Sequence, residues 1–513
     1  MEPWLRGVYD AEGMRAADSW AIENQGVSSL ELMEAAGRAV AEAVARLSPP
    51  GPVRVVCGKG NNGGDGLVAA RLLREMGFEA EALLLWPAGE LSDDAAANLD
   101  RLGGGIEVGD GDDISALLAG SGAVVDAIFG TGFAGAPREP AASAIEAIAA
   151  VRDRGAPVVA CDIASGVDAA SGEVAGAVVE ADVTVTFHDA KVGHFIAPGK
   201  WATGELWPAS IGIPAGAPEP EGAGVIEPAV LDLAPRRGAR STKFSSGQVT
   251  IAGGSRGLTG AVRMSSMAAI RAGAGYATVA VPADLEPVFE AAEVEVMSRG
   301  IGDTPGRLGS EAAEELLAAF EKAAAGVLGP GLGRDEDSLA LARDVAPRIE
   351  APLVIDADGL NAFAGQLDRL AARKAATVLT PHAGELGRLL ERHSDEVNAR
   401  RLATAREAAA WSGAVVVLKG DDTIVTDGRR VAINAVSAPG LATAGSGDVL
   451  SGMTAALLAR GLEPFAAACA AVIAHARAGQ EAARRLGGAA ESTIATDVIA
   501  AIPAGLRSAG PVE

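Results

Sequence analysis

Residues 434–458 read NAVSAPGLATAGSGDVLSGMTAALL, with Gly445-Ser446-Gly447-Asp448 at their centre. Beyond that centre Val449, Leu450, Met453 and Leu457 recur at helical spacing, so a helix is expected to open here. Small residues at a helix start let backbone N–H groups approach a polyanion, and the helix dipole adds favourable partial charge. Asp448 then falls in the first turn, its carboxylate toward whatever the phosphate meets. Donors for developing charge beside a base for an attacking hydroxyl suit phosphoryl transfer. In isolation, a Gly-rich turn with an N-capping Asp would read the same way. The company of this stretch decides between the two.

Upstream, short apolar runs at 249–252, 276–281, 326–328, 353–355, 378–379 and 415–418 read as strands of a parallel sheet buried on both faces. They lead into polar or Gly-rich loops: GGSRGLTGA, ending at Ala261; Gly329-Pro330-Gly331-Leu332-Gly333; Asp356-Ala357-Asp358-Gly359-Leu360-Asn361; Thr380-Pro381-His382-Ala383-Gly384-Glu385; and Lys419-Gly420-Asp421-Asp422-Thr423. His382 alone reads as a structural histidine beside a Pro turn, and Lys419 alone as a solvated lysine. Both at strand ends, together with GSGD, favour one long site along a single rim of the sheet.

The first half follows the same alternation. Residues 14–46 read as two helices, the second beginning near Ser28-Ser29, and 53–56 as a buried strand. Gly58-Lys59-Gly60-Asn61-Asn62-Gly63-Gly64-Asp65-Gly66 is expected to be a loop, with a helix from Leu67. Strand, Gly-rich loop and helix place a phosphate on a helix N-terminus, although this is not the G-x-G-x-x-G fingerprint. Two adjacent amides suggest one on the ligand and one offering oxygen to a hard cation; a turn rich in φ > 0 residues is the plainer reading. Strand and helix signals then alternate through 80–86, 92–102, 123–128, 141–151, 158–161 and 183–187. Asp126 lies inside one apolar strand, where a carboxylate is expensive unless paired or bound to a cation. Asp162 ends another, three residues before Ser165, either as a crevice group or as a loop-capping Asp. His188, Asp189, Lys191 and His194 read first as a polar loop at the sheet edge.

Composition bounds the function. The 513-residue chain has length for more than one domain, and its 49% hydrophobic content with 4% aromatics describes a globular interior of small aliphatic residues. A formal charge of −24 repels phosphate backbones and anionic lipid, so neither nucleic acid nor membrane is expected as a partner. Cys57, Cys161 and Cys469 form no C-x-x-C pair, which argues for a reducing compartment. With no signal-peptide pattern, the cytoplasm is the expected location. A Pro- and Gly-rich stretch marks the domain boundary, giving domains at 1–215 and 241–513 with a linker at 216–240. Leu30, Leu32, Met33 and Val40 offer an apolar face for packing between subunits, so a homo-oligomer is expected.

Together Met14-Arg15…Asp18, Leu32-Met33-Glu34-x-Ala36-Gly37, NNGGDG, VDAIFGTG, DIASGVD and Lys191-x-Gly193-His194 resemble the N-terminal domain of NAD(P)H-hydrate repair enzymes, which epimerises the R and S forms of hydrated NADH and NADPH (NADHX, NADPHX). The resemblance implies a Rossmann-like three-layer α/β/α domain. It further implies substrate contacts at Asn61, Asn62, Gly63, Gly64, Asp65, Gly130, Thr131, Gly132, Phe133, Ala134, Gly135, Ala136 and Asp162. A potassium ion would be held by Asn62, Asp126 and Ser165, with Asp162 as the acid/base at C6. Ala164 departs from the family's usual Pro.

The order GGSxG, GPGLG, DADGLN, TPHxGE, LKG, GSGD resembles the ribokinase-like α/β fold, most closely the ADP-dependent NAD(P)H-hydrate dehydratases. That implies removal of water from the S hydrate, driven by ADP and giving AMP and phosphate. Asp448 would be the catalytic base. Nucleotide contacts are implied at Lys419, Gly420, Asp421, Asp422, Thr423, Gly445, Ser446 and Gly447, and hydrate contacts at Ala261, Gly331, His382 and Asp448, with magnesium accompanying the phosphates. Leu258 stands where an aromatic is common, and Ala383 where Pro is. A vitamin kinase with an accessory domain fits GSGD and the strand order equally well, but not NNGGDG; a non-catalytic sensing module would not need Asp126, Asp162 and Ser165.

Overall fold

The computed structural model describes residues 1–109, 113–292 and 294–508. It divides into two compact units: residues 7–223, and residues 1–6 together with 224–513. The chain opens with a short strand, β1 (Leu5–Gly7). Two helices follow, α1 (Ala11–Gln25) and α2 (Ser29–Leu47). Asp10 caps α1 by accepting from Gly13 N at 2.7 Å, and Gly26 ends it in the left-handed region.

The first unit is built on a seven-stranded sheet: β2 (Val53–Cys57), β3 (Ala80–Leu84), β4 (Ile106–Glu107), β5 (Ala123–Ala127), β6 (Val158–Cys161), β7 (Val183–Phe187) and β8 (Glu205–Ala209), in the order β4-β3-β2-β5-β6-β7-β8. Every pairing is parallel. Alternation along the strands feeds two cores. Val53, Val55 and Cys57 pack with α2 and its neighbours on one face, while Val56, Leu83 and Val124 pack under the helices Ile114–Leu118 and Ala141–Arg152 on the other. Strand order reverses between β2 and β5, which makes the carboxyl ends of those two strands the place for a ligand crevice.

Two sequence expectations change here. Residues 61–66 are not a loop: helix α3 (Asn61–Glu75) begins at Asn61, behind Gly60. A Cβ at Gly63 would stand 1.9 Å from the Gly58 carbonyl oxygen, and one at Gly66 would stand 2.5 Å from Ala127 Cβ. These glycines therefore let α3 lie against the sheet; tertiary contact overrides their poor helix propensity. Of the apolar face expected between subunits, Leu32, Met33 and Val40 are buried in the unit's own core, while Leu30 is half-buried. A fourth helix, α4 (Asp93–Leu102), packs against α3.

The second unit has an eleven-stranded sheet. Its strands are β1, β9 (Ala223–Ile226), β10 (Gln248–Ala252), β11 (Tyr276–Pro282), β12 (Val296–Ile301), β13 (Ala325–Leu328), β14 (Leu353–Ile355), β15 (Thr377–Leu379), β16 (Val415–Leu418), β17 (Ile424–Thr426) and β18 (Val431–Ile433). They lie in the order β1-β9-β18-β17-β16-β15-β14-β13-β10-β11-β12. The stretch from β12 to β16 is parallel, and β16, β17 and β18 are antiparallel. The amino terminus belongs to this unit: Trp4 packs on Phe465 with ring centroids 6.0 Å apart, and Glu2 pairs with Arg430 at 3.0 Å. Strand order reverses at β10 and β13, whose ends carry Gly253-Gly254 and Gly329-Pro330-Gly331. Among the described residues no helix is long and apolar enough to cross a membrane.

Candidate active sites

In the first unit a cavity of about 580 Å³ opens where β2 and β5 diverge. Asn61, Asn62 and Asp65 line it from the start of α3, Gly130, Thr131, Gly132 and Phe133 from the loop after β5, Asp18 from α1, and Asp162 and Lys191 from the strand ends beyond. Lys191 is fully buried. Its Nζ donates to Asp162 Oδ1 at 2.5 Å, to Thr186 Oγ1 at 2.9 Å and to the Phe187 carbonyl at 2.9 Å, so all three ammonium protons are used. Asp162 Oδ1 also accepts from Thr186 Oγ1 and Phe187 N, whereas Oδ2 makes no hydrogen bond among the described residues. Asp162 sits at φ 66°, uncommon for a non-glycine residue and characteristic of functional positions. His194 braces that conformation. Its Nδ1 accepts from Lys191 N at 3.0 Å, so Nε2 donates to the Asp162 carbonyl at 3.1 Å. Burial pushes the imidazole down to about 3, which keeps it neutral.

Behind the cavity wall lies a cluster of oxygens. Asp126 is wholly buried and accepts from Ser165 Oγ at 2.6 Å, Ser165 N at 2.8 Å and Ile128 N at 3.2 Å. Burial lifts its carboxyl to about 6 against the pull of those donors. Ser165 Oγ also accepts from Phe129 N, and Asn62 Nδ2 donates to the Phe129 carbonyl at 2.9 Å. A buried carboxylate with amide, hydroxyl and carbonyl oxygens around it is a hard donor set, of the type that suits an alkali cation.

In the second unit the strand-end loops converge. Lys419 Nζ, after β16, donates to Asp356 Oδ1 at 3.1 Å, after β14, and stands 3.6 Å from Glu385 Oε2, after β15. The His382 backbone N–H reaches Glu385 Oε2 at 2.9 Å, and His382 Nδ1 caps the helix Ala383–Leu389. Gly445 ends the preceding turn at φ 88°, and the helix Ser446–Ala459 starts beside Lys419; a Cβ at Gly447 would come within 3.2 Å of its Nζ. Asp448, in that helix's first turn, is pushed up to about 7 by burial and then by the Asp356 carboxylate, with Lys419 opposing. Asp356 Oδ2 is buried without a hydrogen-bond partner among the described residues, and the next residue, Ala357, is held at φ 51°. Beside this group a cavity of about 290 Å³ is lined by Lys419, Gly420, Asp421, Thr423, Ser446, Gly447 and His475.

A family model described as YjeF-related protein N-terminus matches residues 29–193, and one described as NAD(P)H-hydrate dehydratase matches residues 249–503. The bifunctional NAD(P)H-hydrate repair enzyme of Moorella thermoacetica is 38% identical over 517 aligned positions, covering 97% of this chain and 96% of the relative. The chain belongs to the bifunctional NAD(P)H-hydrate repair enzyme family. The corresponding enzyme of Salinibacter ruber is also 38% identical, over 97% of this chain and 95% of its own. Among solved structures, the ADP/ATP-dependent NAD(P)H-hydrate dehydratase of Bacillus subtilis, co-crystallised with ATP and Mg2+, is 25% identical, covering 55% of this chain and 96% of its own, with a TM-score of 0.47.

Within this repair-enzyme framework most of the residues singled out from sequence come together in two groups, and some do not. Gly63 and Gly64 lie in the first turn of α3 without lining the first cavity, as do Ala134, Gly135 and Ala136 farther along the loop after β5. Gly331 and Ala261 adjoin one another, with a Gly331 Cβ placed 3.2 Å from Ala261 Cβ. Asp422 turns away from the second cavity and pairs with Arg401 at 2.8 Å, both buried. The expected edge loop 188–194 instead folds beneath the sheet end, which puts Lys191 and His194 inside. Asp18, Lys191, Asp356 and His475 carry no role in the sequence reading. His475 lies in an Ala-rich helical run with no local signal; its Nε2 is buried without a partner among the described residues, and burial pushes its imidazole down to about 4.

The Arg401–Asp422 pair makes the first prediction. Arg401→Met takes the guanidinium away from the buried Asp422 carboxylate, and breaking a buried ion pair costs about 3–5 kcal/mol. Thermal unfolding of the second unit is expected to shift down by several degrees, and Arg401→Met with Asp422→Leu to recover most of the loss.

Proposed function

We propose that the first unit interconverts the R and S forms of NADHX and NADPHX, and that the second dehydrates the S form to NADH or NADPH while ADP becomes AMP and phosphate. The observation that carries this reading is shared by both units: a parallel sheet reverses its strand order, a helix starts at the reversal or beside it, and a carboxylate meets the space in front. Family membership supplies the substrate class, a damaged nicotinamide nucleotide.

In the first unit Asp162 Oδ2 is the free oxygen that takes the C6 hydroxyl proton, and Lys191 holds the carboxylate in place through Oδ1. Asn62, Asp126 and Ser165 would hold potassium, which supplies fixed positive charge next to the loop carrying Gly130 and Thr131. Opening the C6–N1 bond gives an aldehyde and an N–H, and re-closure on the other face gives the second epimer. In the second unit Lys419, Gly420, Asp421, Thr423, Ser446 and Gly447 take the nucleotide, magnesium would supply positive charge to its phosphates, and Asp422 fixes the loop through Arg401. Ala261, Gly331 and His382 take the hydrate. Asp448 removes the proton from its hydroxyl, the oxygen attacks the terminal phosphoryl group, and the phosphorylated hydroxyl then leaves C6 as phosphate while C5 gives up a proton, which restores the C5–C6 double bond. The N–H groups at the start of the helix Ser446–Ala459 have no intrahelical partners and meet the developing charge. NADH and NADPH circulate in the cytoplasm, where the enzyme is expected to work.

The test is incubation of the full chain with mixed R/S-NADHX, with and without ADP and magnesium, followed by chromatography. Without ADP, an enriched epimer should relax to the mixture faster than in buffer. With ADP, both epimers should disappear with one phosphate released per NADH. A stable phosphorylated product would identify a kinase and overturn the reading.

A further inference from the structure

Asp18 lies on α1 and lines the same cavity as Asp162 and Lys191. Its carboxylate makes no hydrogen bond or ion pair among the described residues. Four charged groups bear on it or on its neighbours: Asp162 and Lys191 from the strand ends, Asp65 from α3 and Asp94 from α4; Arg15, also on α1, lines the cavity too. The N-terminal site therefore holds two carboxyls in different circumstances. Asp162 is tethered through one oxygen by three donors, and Asp18 is tethered by none.

Ring opening at a carbon that bears both a hydroxyl and a ring nitrogen needs two proton movements. One proton leaves the oxygen as the carbonyl forms, and one arrives on the nitrogen as it takes the electron pair of the breaking bond. We propose that Asp18 is the second proton-transfer residue of this site, serving ring nitrogen N1 while Asp162 serves the C6 hydroxyl; this rests on reading the unit as the epimerase.

The cycle balances without any co-reactant. Asp162 takes the hydroxyl proton, the C6–N1 pair moves to N1, and protonated Asp18 delivers its proton there. After rotation about the opened chain, Asp18 takes that proton back as N1 attacks the other face of C6, and Asp162 returns its proton to the oxygen. Nothing is oxidised or reduced, and both carboxyls end as they began. Burial and the nearby Asp162 charge raise Asp18 to about 6, with Lys191 opposing, so it can both give and take a proton near neutrality. Asp65 is held well above its usual value by burial and by the Asp162, Asp18 and Asp94 charges.

The experiment measures R/S-NADHX exchange by the full chain without ADP, from pH 5 to 9, for wild type, Asp18→Asn and Asp18→Glu. Asp18→Asn is expected to lower kcat by at least about a hundredfold with little change in KM. Asp18→Glu, which keeps the carboxyl, should recover to within about tenfold of wild type. Wild-type kcat/KM should fall as pH rises through about 6, because Asp18 must start protonated, and Asp18→Asn should lose that limb. A wild-type chain that exchanges no epimers removes the epimerase reading itself. Exchange by wild type together with more than a tenth of that rate in Asp18→Asn, or with a limb that persists there, overturns the assignment of Asp18 alone. Should Asp18→Asn fail to fold, a wild-type profile without the limb still overturns it.

Discussion

Asp448→Asn is expected to lower ADP-dependent dehydration about a thousandfold while ADP still binds. The change is isosteric and leaves Lys419, Gly420, Ser446 and Gly447 in place around the nucleotide cavity. What disappears is the base, and general-base catalysis contributes roughly 10²–10⁴ in rate. Turnover is read as recovery of reduced-nicotinamide absorbance, and ADP binding by calorimetry. In the wild type Asp448 must be ionised to act, so kcat/KM should rise with pH through about 7, where burial and the Asp356 carboxylate have moved its carboxyl. Turnover by Asp448→Asn above a tenth of wild type would remove the base assignment.

The same shift has a stability consequence of opposite sign to the catalytic one. A carboxyl raised in the folded state binds its proton more tightly folded than unfolded, so its ionisation destabilises the fold. The penalty is absent below about pH 4, grows as pH rises, and is complete above about 7. Asp448→Asn removes it. At pH 8 the inactive variant should therefore unfold at a higher temperature than wild type, and the two should converge as pH falls toward 4. Ala357, held at φ 51° next to Asp356, is a second sign that this site is kept at the expense of stability.

Much of this was legible in the sequence because local signals and packing agree. Short apolar runs bounded by Gly-rich loops gave the parallel strands, and GSGD before Val449, Leu450 and Met453 gave the helix start at Ser446. The start of α3 was misread because Asn and Gly favour turns, whereas the close approach of Gly63 to Gly58 decides the matter and appears only in three dimensions. The hairpin of β17 and β18 went unseen because each strand has three residues. Lys191 read as part of a polar loop at the sheet edge because nothing local announces that the loop after β7 folds inward. Asp18, on α1, reaches its site through a contact with no signature in sequence distance.

Asp162→Ala should abolish epimer exchange, yet by itself it cannot separate chemistry from folding. Lys191 has no exposure, and removing its partner leaves a buried ammonium with only the Thr186 hydroxyl and the Phe187 carbonyl. An uncompensated buried charge costs about 3–5 kcal/mol, so the single variant should be both inactive and destabilised. Lys191→Met should fail in the mirror sense, with Asp162 left unpaired. Combining Asp162→Ala with Lys191→Met removes both charges, and the first unit should regain most of its thermal stability while exchange stays at background. The two losses then part company: stability is non-additive across the ion pair, and activity is not restored by repairing it. Exchange returning with stability in the double variant would mean that Asp162 shapes the cavity and some other group moves the proton.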